Sequence, residues 1–162
     1  MSLARGGGAP DTAIMFEKQT QIRQPQPPEA FPYERETRSI RVGVKPAYLD
    51  DQSDPADDRY VWSYTVSIEN RGQEPVQLIS RYWNITDAAG RVHEVRGPGV
   101  VGAQPVIAPG EAFEYTSGCP LETASGVMSG RYQMKATASG EAFEAEIPAF
   151  LLESPYEKRQ VH

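Results

Sequence analysis

Residues 60–69 alternate without a break: Tyr60, Trp62, Tyr64, Val66 and Ile68 fall on one parity, and Val61, Ser63, Thr65, Ser67 and Glu69 on the other. A period of two over ten residues is the signature of a β-strand, in which successive side chains point to opposite faces. The pattern predicts one buried face and one wet face. Ile40, Val42 and Val44 alternate in the same way across residues 38–44. Residues 75–87 read as a third strand, but their apolar parity changes between Val76/Leu78 and Ile79/Trp83/Ile85, which predicts a bulge or a strand covered on both faces, with Trp83 in the core. A hairpin connection at residues 87–90 leads into a short strand over 91–95. Three more strands are expected over 111–117 (Phe113 and Tyr115 inward), 130–138 (Tyr132, Met134 and Ala136 inward) and 141–147 (Phe143, Ala145 and Ile147 inward). Ser139 and Gly140 suit the turn joining the last two.

Seven short strands, closely spaced turns and no convincing helix predict an all-β domain, an antiparallel β-sandwich of immunoglobulin or fibronectin type III kind, with a closed barrel as the alternative. Composition agrees, since 6 Leu stand beside 20 Ile plus Val, and 14 Gly and 14 Pro supply turns. The string GEAFE occurs at 110–114 and 140–144 with unlike flanks, so it reads as one turn-then-strand solution used twice.

Residues 1–33 hold five prolines, a triple glycine at 6–8 and many Gln, and are expected to form a flexible Pro/Gly-rich N-terminal arm. Within it residues 11–23 form at most a short helix that needs a docking partner. The sandwich domain is expected over 34–157, with a tail at 158–162. No apolar signal-peptide core and no membrane-length apolar run occur, and the single cysteine, Cys119, excludes an internal disulfide. These features predict a soluble cytoplasmic protein without membrane insertion.

Lys plus Arg number 16 against 22 Asp plus Glu, a net charge of −6, which excludes blanket electrostatic binding to nucleic acid or anionic lipid. The acidity is local. Residues 1–33 are balanced, and Asp50, Asp51, Asp54, Asp57 and Asp58 carry −5, leaving −1 for the rest. That aspartate run lacks the order and glycine of a calcium loop and reads as a solvated acidic loop, so no metal site is expected there. With only His93 and His162, no zinc spacing can be drawn either.

Residues 97–102, GPGVVG, match G-x-G-x-x-G, but Pro105 and Pro109 forbid the helix that a dinucleotide fold requires after it. A nest of backbone amides for a small anion stays open, formed by Gly97, Gly99 and Gly102 with Arg96 beside them and Arg91 on the strand leading in. A Cys119–His93 nucleophile pair lacks an orienting third group, so an enzyme is not expected. Asn84–Ile85–Thr86 is a glycosylation string without a secretory context. Arg81, Tyr82 and Trp83 form an aromatic and arginine cluster of the kind that recurs at interfaces, although a sandwich-strand Trp is more often core.

The stretches RYWNITD (81–87), VRGPGVVGAQP (95–105), PGEAFEYTSG (109–118), GVMSGRYQM (126–134) and IPAF (147–150) follow one another in order. Together they make residues 33–156 resemble the ApaG family. The resemblance implies a fibronectin type III-like sandwich, no enzymatic mechanism and no cofactor, and an association with cobalt tolerance and magnesium efflux. Related domains in larger eukaryotic proteins, an F-box protein and a polymerase-delta-interacting protein among them, look like recognition modules. The glycine loop also invites a proposal of pyrophosphate or nucleotide binding. The partner is therefore expected to be a protein or a small anionic ligand, and the chain a monomer or weak homodimer.

Overall fold

The strand periods pair into two antiparallel sheets in the computed structural model, which describes residues 21–25 and 30–157. In chain order the strands are β1 (Gln21–Arg23), β2 (Tyr33–Thr37), β3 (Ile40–Tyr48), β4 (Tyr60–Asn70), β5 (Val76–Asp87), β6 (Val92–Pro98), β7 (Val106–Ile107), β8 (Ala112–Leu121), β9 (Gly126–Ala136) and β10 (Ala142–Leu152). One sheet has the order β1-β8-β4-β3-β2 and the other β10-β9-β5-β6, with β7 beside β5. The fold is an all-β sandwich. Two 3-10 segments, Asp50–Gln52 and Pro55–Asp57, lie in the acidic loop.

The apolar parities meet between the sheets. Trp62, Tyr64, Val66 and Ile68 of β4 are buried, as are Val42 and Val44 of β3. From the other sheet Trp83 packs edge-on against Tyr64 at 5.3 Å and against Phe150 at 6.0 Å. The hydroxyls of Tyr115 and Tyr132 share a buried hydrogen bond of 2.6 Å across the core, so neither phenol is left unsatisfied. The parity change in β5 is a bulge, with the register against β9 shifting between Leu78 and Ser80.

Several boundaries differ from the sequence reading. The expected strand over 38–44 begins at Ile40, because Arg38 and Ser39 take positive φ (51° and 67°) and turn the chain between β2 and β3. The expected helix over 11–23 does not include its last three residues, which pair as β1 with β8; residues 1–20 lie outside the described residues. The outer face of β4 is not uniformly wet, since Val61 and Ser67 are buried. Phe31 is buried over the same face, on Gly43 of β3, where a Cβ would lie 2.9 Å from its side chain.

β6 and β8 run past their expected ends at 95 and 117, through glycine and proline, and one physical reason covers both. Gly99 N donates to Ile79 O, so the bonded pairs of β5 and β6 have odd numbers, and Pro98 turns its missing N–H away from β5, off the sheet edge. Asn70 N donates to Glu111 O, which likewise turns Pro120 away from β4. Neither proline interrupts a ladder. On one side the sandwich is closed by β10 lying against β2, where Glu146 N donates to Thr37 Oγ1 at 3.2 Å. On the other side β6 and β8 face each other across residues 100–101.

Candidate functional site

Ile79 is the extra residue of the β5 bulge, and its carbonyl accepts both the Gly99 amide and Gln104 Nε2, each at 2.8 Å. Past the bulge, Arg81, Trp83 and Ile85 turn inward, whereas Tyr82, Asn84 and Thr86 turn outward. The cluster of Arg81, Tyr82 and Trp83 is thereby divided between two environments.

On the inner side, Arg81 Nη1 donates to Pro98 O (3.1 Å) and Gly99 O (2.9 Å). The glycine loop thus aims carbonyl oxygens at a cation. Gly99 has φ +60°, and a Cβ there would lie 2.2 Å from Ala103 O, so this position requires glycine. The Gly99 amide is held by Ile79 and the Val100 amide donates to Ala103 O at 2.8 Å. Gly97 stands opposite Arg81 on the bonded parity, which occupies its amide in the β5–β6 ladder. Val101 and Gly102 are the loop amides that have no backbone acceptor among the described residues. Behind the buried Val100 lies a cavity of about 40 Å³ lined by Tyr64, Arg81, Trp83, Cys119 and Met128 among others, room for a few water-sized guests.

Of the other sequence-predicted residues, Arg96 lies next to the loop but on the outer face, its guanidinium 4.6 Å from the centre of the Tyr82 ring. Arg91 is not brought to the loop. It lies six residue steps before Gly97 along an extended chain, about 20 Å at the usual rise, and it instead pairs with Asp87 Oδ2 (2.8 Å) and Glu122 Oε1 (3.1 Å). Burial would raise the pKa of Asp87, but the amide and guanidinium of Arg91 and the Ala89 amide outweigh burial and hold the carboxyl below its ordinary value. A depressed folded-state pKa adds stability that is present above the unfolded value, near 4, and lost as pH falls through the folded value. In urea titrations the stability gap between wild type and Asp87→Asn is therefore expected to be widest above about pH 5 and to close as pH falls through the folded-state value. A gap that stays constant with pH would show that the Asp87 charge does not hold the hairpin.

Cys119 lies within β8, beyond the expected strand end at 117, paired with Trp62 and 2% exposed, and burial pushes its thiol pKa up to about 12. It is a neutral core residue at neutral pH. His93 is exposed on β6, and His162 lies outside the described residues. Among the described residues no group of three or more His, Cys, Asp or Glu is placed to hold a metal ion.

The outer face of the β10-β9-β5-β6 sheet carries features that the sequence did not reveal. Arg96 and Arg131, from the strands on either side of β5, both stack on the Tyr82 ring, at 4.6 and 4.3 Å. The Tyr82 hydroxyl donates to Glu94 Oε2 at 2.5 Å, and Arg131 reaches Glu144 at 3.4 Å. Toward one end of the face, Val92, Thr86, Val127 and Leu151 stand in register across all four strands. Three of them are large exposed hydrophobics, Val92 at 56%, Val127 at 40% and Leu151 at 45%. Only strand register joins these residues, which are dispersed along the chain.

The ApaG domain model matches residues 50–136. Protein ApaG of Parvibaculum lavamentivorans is 62% identical over 130 residues, which span 80% of this chain and 99% of that protein. Protein ApaG of Rhodospirillum centenum is 65% identical over 76% of this chain and 95% of its own length. Among solved structures, a Bordetella pertussis protein assigned as ApaA shares 51% identity and a TM-score of 0.70, covering 78% of this chain and all of that one. The β-sandwich, the linked motifs from residue 81 to residue 150 and these matches agree, and the chain belongs to the ApaG family.

Proposed function

We propose that this protein is a non-enzymatic recognition module that binds a protein partner through the outer face of the β10-β9-β5-β6 sheet. The observation that carries this reading is that one sheet face holds both the Arg96–Tyr82–Arg131 stack and, four residues further along β5, the exposed row of Val92, Val127 and Leu151. Isolated exposed apolar side chains are ordinary, but a row in register on the same face as a tyrosine stacked between two arginines has the make-up of an interface anchor. Through that partner the protein acts indirectly on cobalt tolerance and magnesium efflux, the association that the family resemblance brings. No helix among the described residues is long and apolar enough to cross a membrane, and the reading takes the chain as a cytoplasmic monomer or weak homodimer.

The test is complementation. In a strain lacking this protein, the wild-type chain is expected to restore growth in cobalt, while a Val127→Asp/Leu151→Asp double variant that keeps its β-sheet circular dichroism and its Tm fails to do so. Full complementation by the folded double variant would overturn the reading. A second reading, a pyrophosphate-containing ligand at residues 97–102, is supported by the Val101 and Gly102 amides, which have no backbone acceptor among the described residues. It predicts that diphosphate shifts the Gly102 amide signal in NMR spectra and that Arg96→Ala weakens the shift.

A further inference from the structure

β6 is the last strand of its sheet, bonded to β5 on one side. Its odd-numbered residues make that ladder, so the amides and carbonyls of Glu94 and Arg96 point the other way, off the edge. Val92, His93, Glu94, Arg96 and Pro98 are exposed, so the strand meets water along most of its length. Beyond Pro98 the chain leaves the edge, because Gly99 turns at φ +60° and Val100 is buried. Charged side chains ordinarily keep such edges apart. In β6 their order does the reverse. Glu94 and Arg96 carry opposite signs on either side of Val95, and both stand on the outer face against Tyr82, Glu94 at its hydroxyl and Arg96 over its ring.

We propose that a second copy of this chain pairs with β6 edge to edge, antiparallel, about a two-fold axis at Val95. The axis sets Glu94 opposite Arg96 of the second copy, and Arg96 opposite Glu94 of that copy. These are the residues whose backbone groups face off the edge, so each opposed pair exchanges both N–H···O bonds while opposite charges meet on the outer face. Moving the axis by one residue either way sets Glu94 or Arg96 against its own counterpart, and like charges directly opposite one another destabilise a sheet. Arg96, whose guanidinium pairs with no carboxylate among the described residues, then lies between the Tyr82 ring and a glutamate. Val95, partly buried against the core, meets its own counterpart on the inner face, and Val92, 56% exposed, meets Pro98. The ladder ends at Pro98, which has no amide and whose carbonyl accepts from Arg81. A short ladder with ion pairs open to water makes a weak, salt-sensitive dimer. It joins two outer faces into one surface, and it forms whether or not that surface binds a further partner.

Charge reversal in the full chain tests the register. Arg96→Glu leaves two acids at the edge and Glu94→Arg leaves two bases, so each variant alone is expected to dimerise at least about tenfold more weakly than wild type in sedimentation equilibrium at up to about 1 mM protein. An equimolar mixture of the two variants matches every pair again, and heterodimers of about wild-type affinity are expected. A wild-type chain that stays monomeric, single variants that dimerise as well as wild type, or a mixture that recovers nothing would each overturn the proposal. A second measurement leaves the edge unaltered. In wild type the Glu94 and Arg96 amides are expected to exchange hydrogen at least about twofold more slowly as protein concentration rises, while the Val95 amide, bonded to β5, keeps its rate. Slow exchange of Glu94 and Arg96 at every concentration would mean that the edge is filled within one chain, and fast exchange at every concentration that it stays unpaired; either result overturns the proposal.

Discussion

Gly130→Ala is expected to lower the unfolding free energy by about 3 kcal/mol, a large share of the roughly 5–15 kcal/mol that holds a domain of this size. Gly130 lies in β9 opposite Trp83, between β5 and β10. A Cβ there would sit 2.1 Å from Tyr82 O and 3.3 Å from Ile147 Cδ1. The first of these atoms belongs to backbone fixed in the β5 ladder, so relief requires moving a central strand rather than rotating a side chain. Urea denaturation measures the loss, with an unchanged m-value marking a stability effect alone. Gly102→Ala is the comparison: its φ is +81° but its surroundings are open, so its cost is expected to be only about 1 kcal/mol. Similar costs at the two sites would contradict the packing of β5 on β9.

Trp83→Ala is expected to cost about 3–5 kcal/mol, because a buried indole packed on Tyr64 and Phe150 would leave an unfilled volume next to an existing cavity of about 40 Å³. Trp83→Phe retains most of the apolar contact and is expected to cost about half as much or less. The same denaturation experiment separates the two. A loss near 1 kcal/mol for the alanine variant would mean that the sheets close over the site, contrary to close packing of this core.

What the sequence disclosed followed from which faces are buried. β4 was legible because one face is aromatic and aliphatic throughout, and the β5 bulge because apolar residues flank it on both parities. β2 was not, since YERET shows no apolar alternation: it is an edge strand held partly by charge, with Glu34 paired to Arg41 at 3.0 Å, and charged residues are what an exposed edge calls for. β7 has two residues, too few for any period to register. The glycine string could be seen, but not that three of its amides are occupied, nor that Arg91 is carried away from it by the very strand that connects them. The apolar row of the outer face had no sequence signal, because only pairing across four strands brings its members together.

The bulge at Ile79 acts on this protein as a reading frame acts on a message. Every side chain from Arg81 to Asp87 has its destination, core or surface, set by that one inserted residue, and the Gly99 and Gln104 hydrogen bonds to its carbonyl lock the setting. Deleting Ile79 would send Trp83 toward water and Tyr82 toward the core without altering any residue between 81 and 87. Exchanges of side chain on the outer face, at Tyr82, Arg96 or Arg131, leave that frame untouched. The outer side chains of this sheet are thus open to variation, while the length of β5 is not.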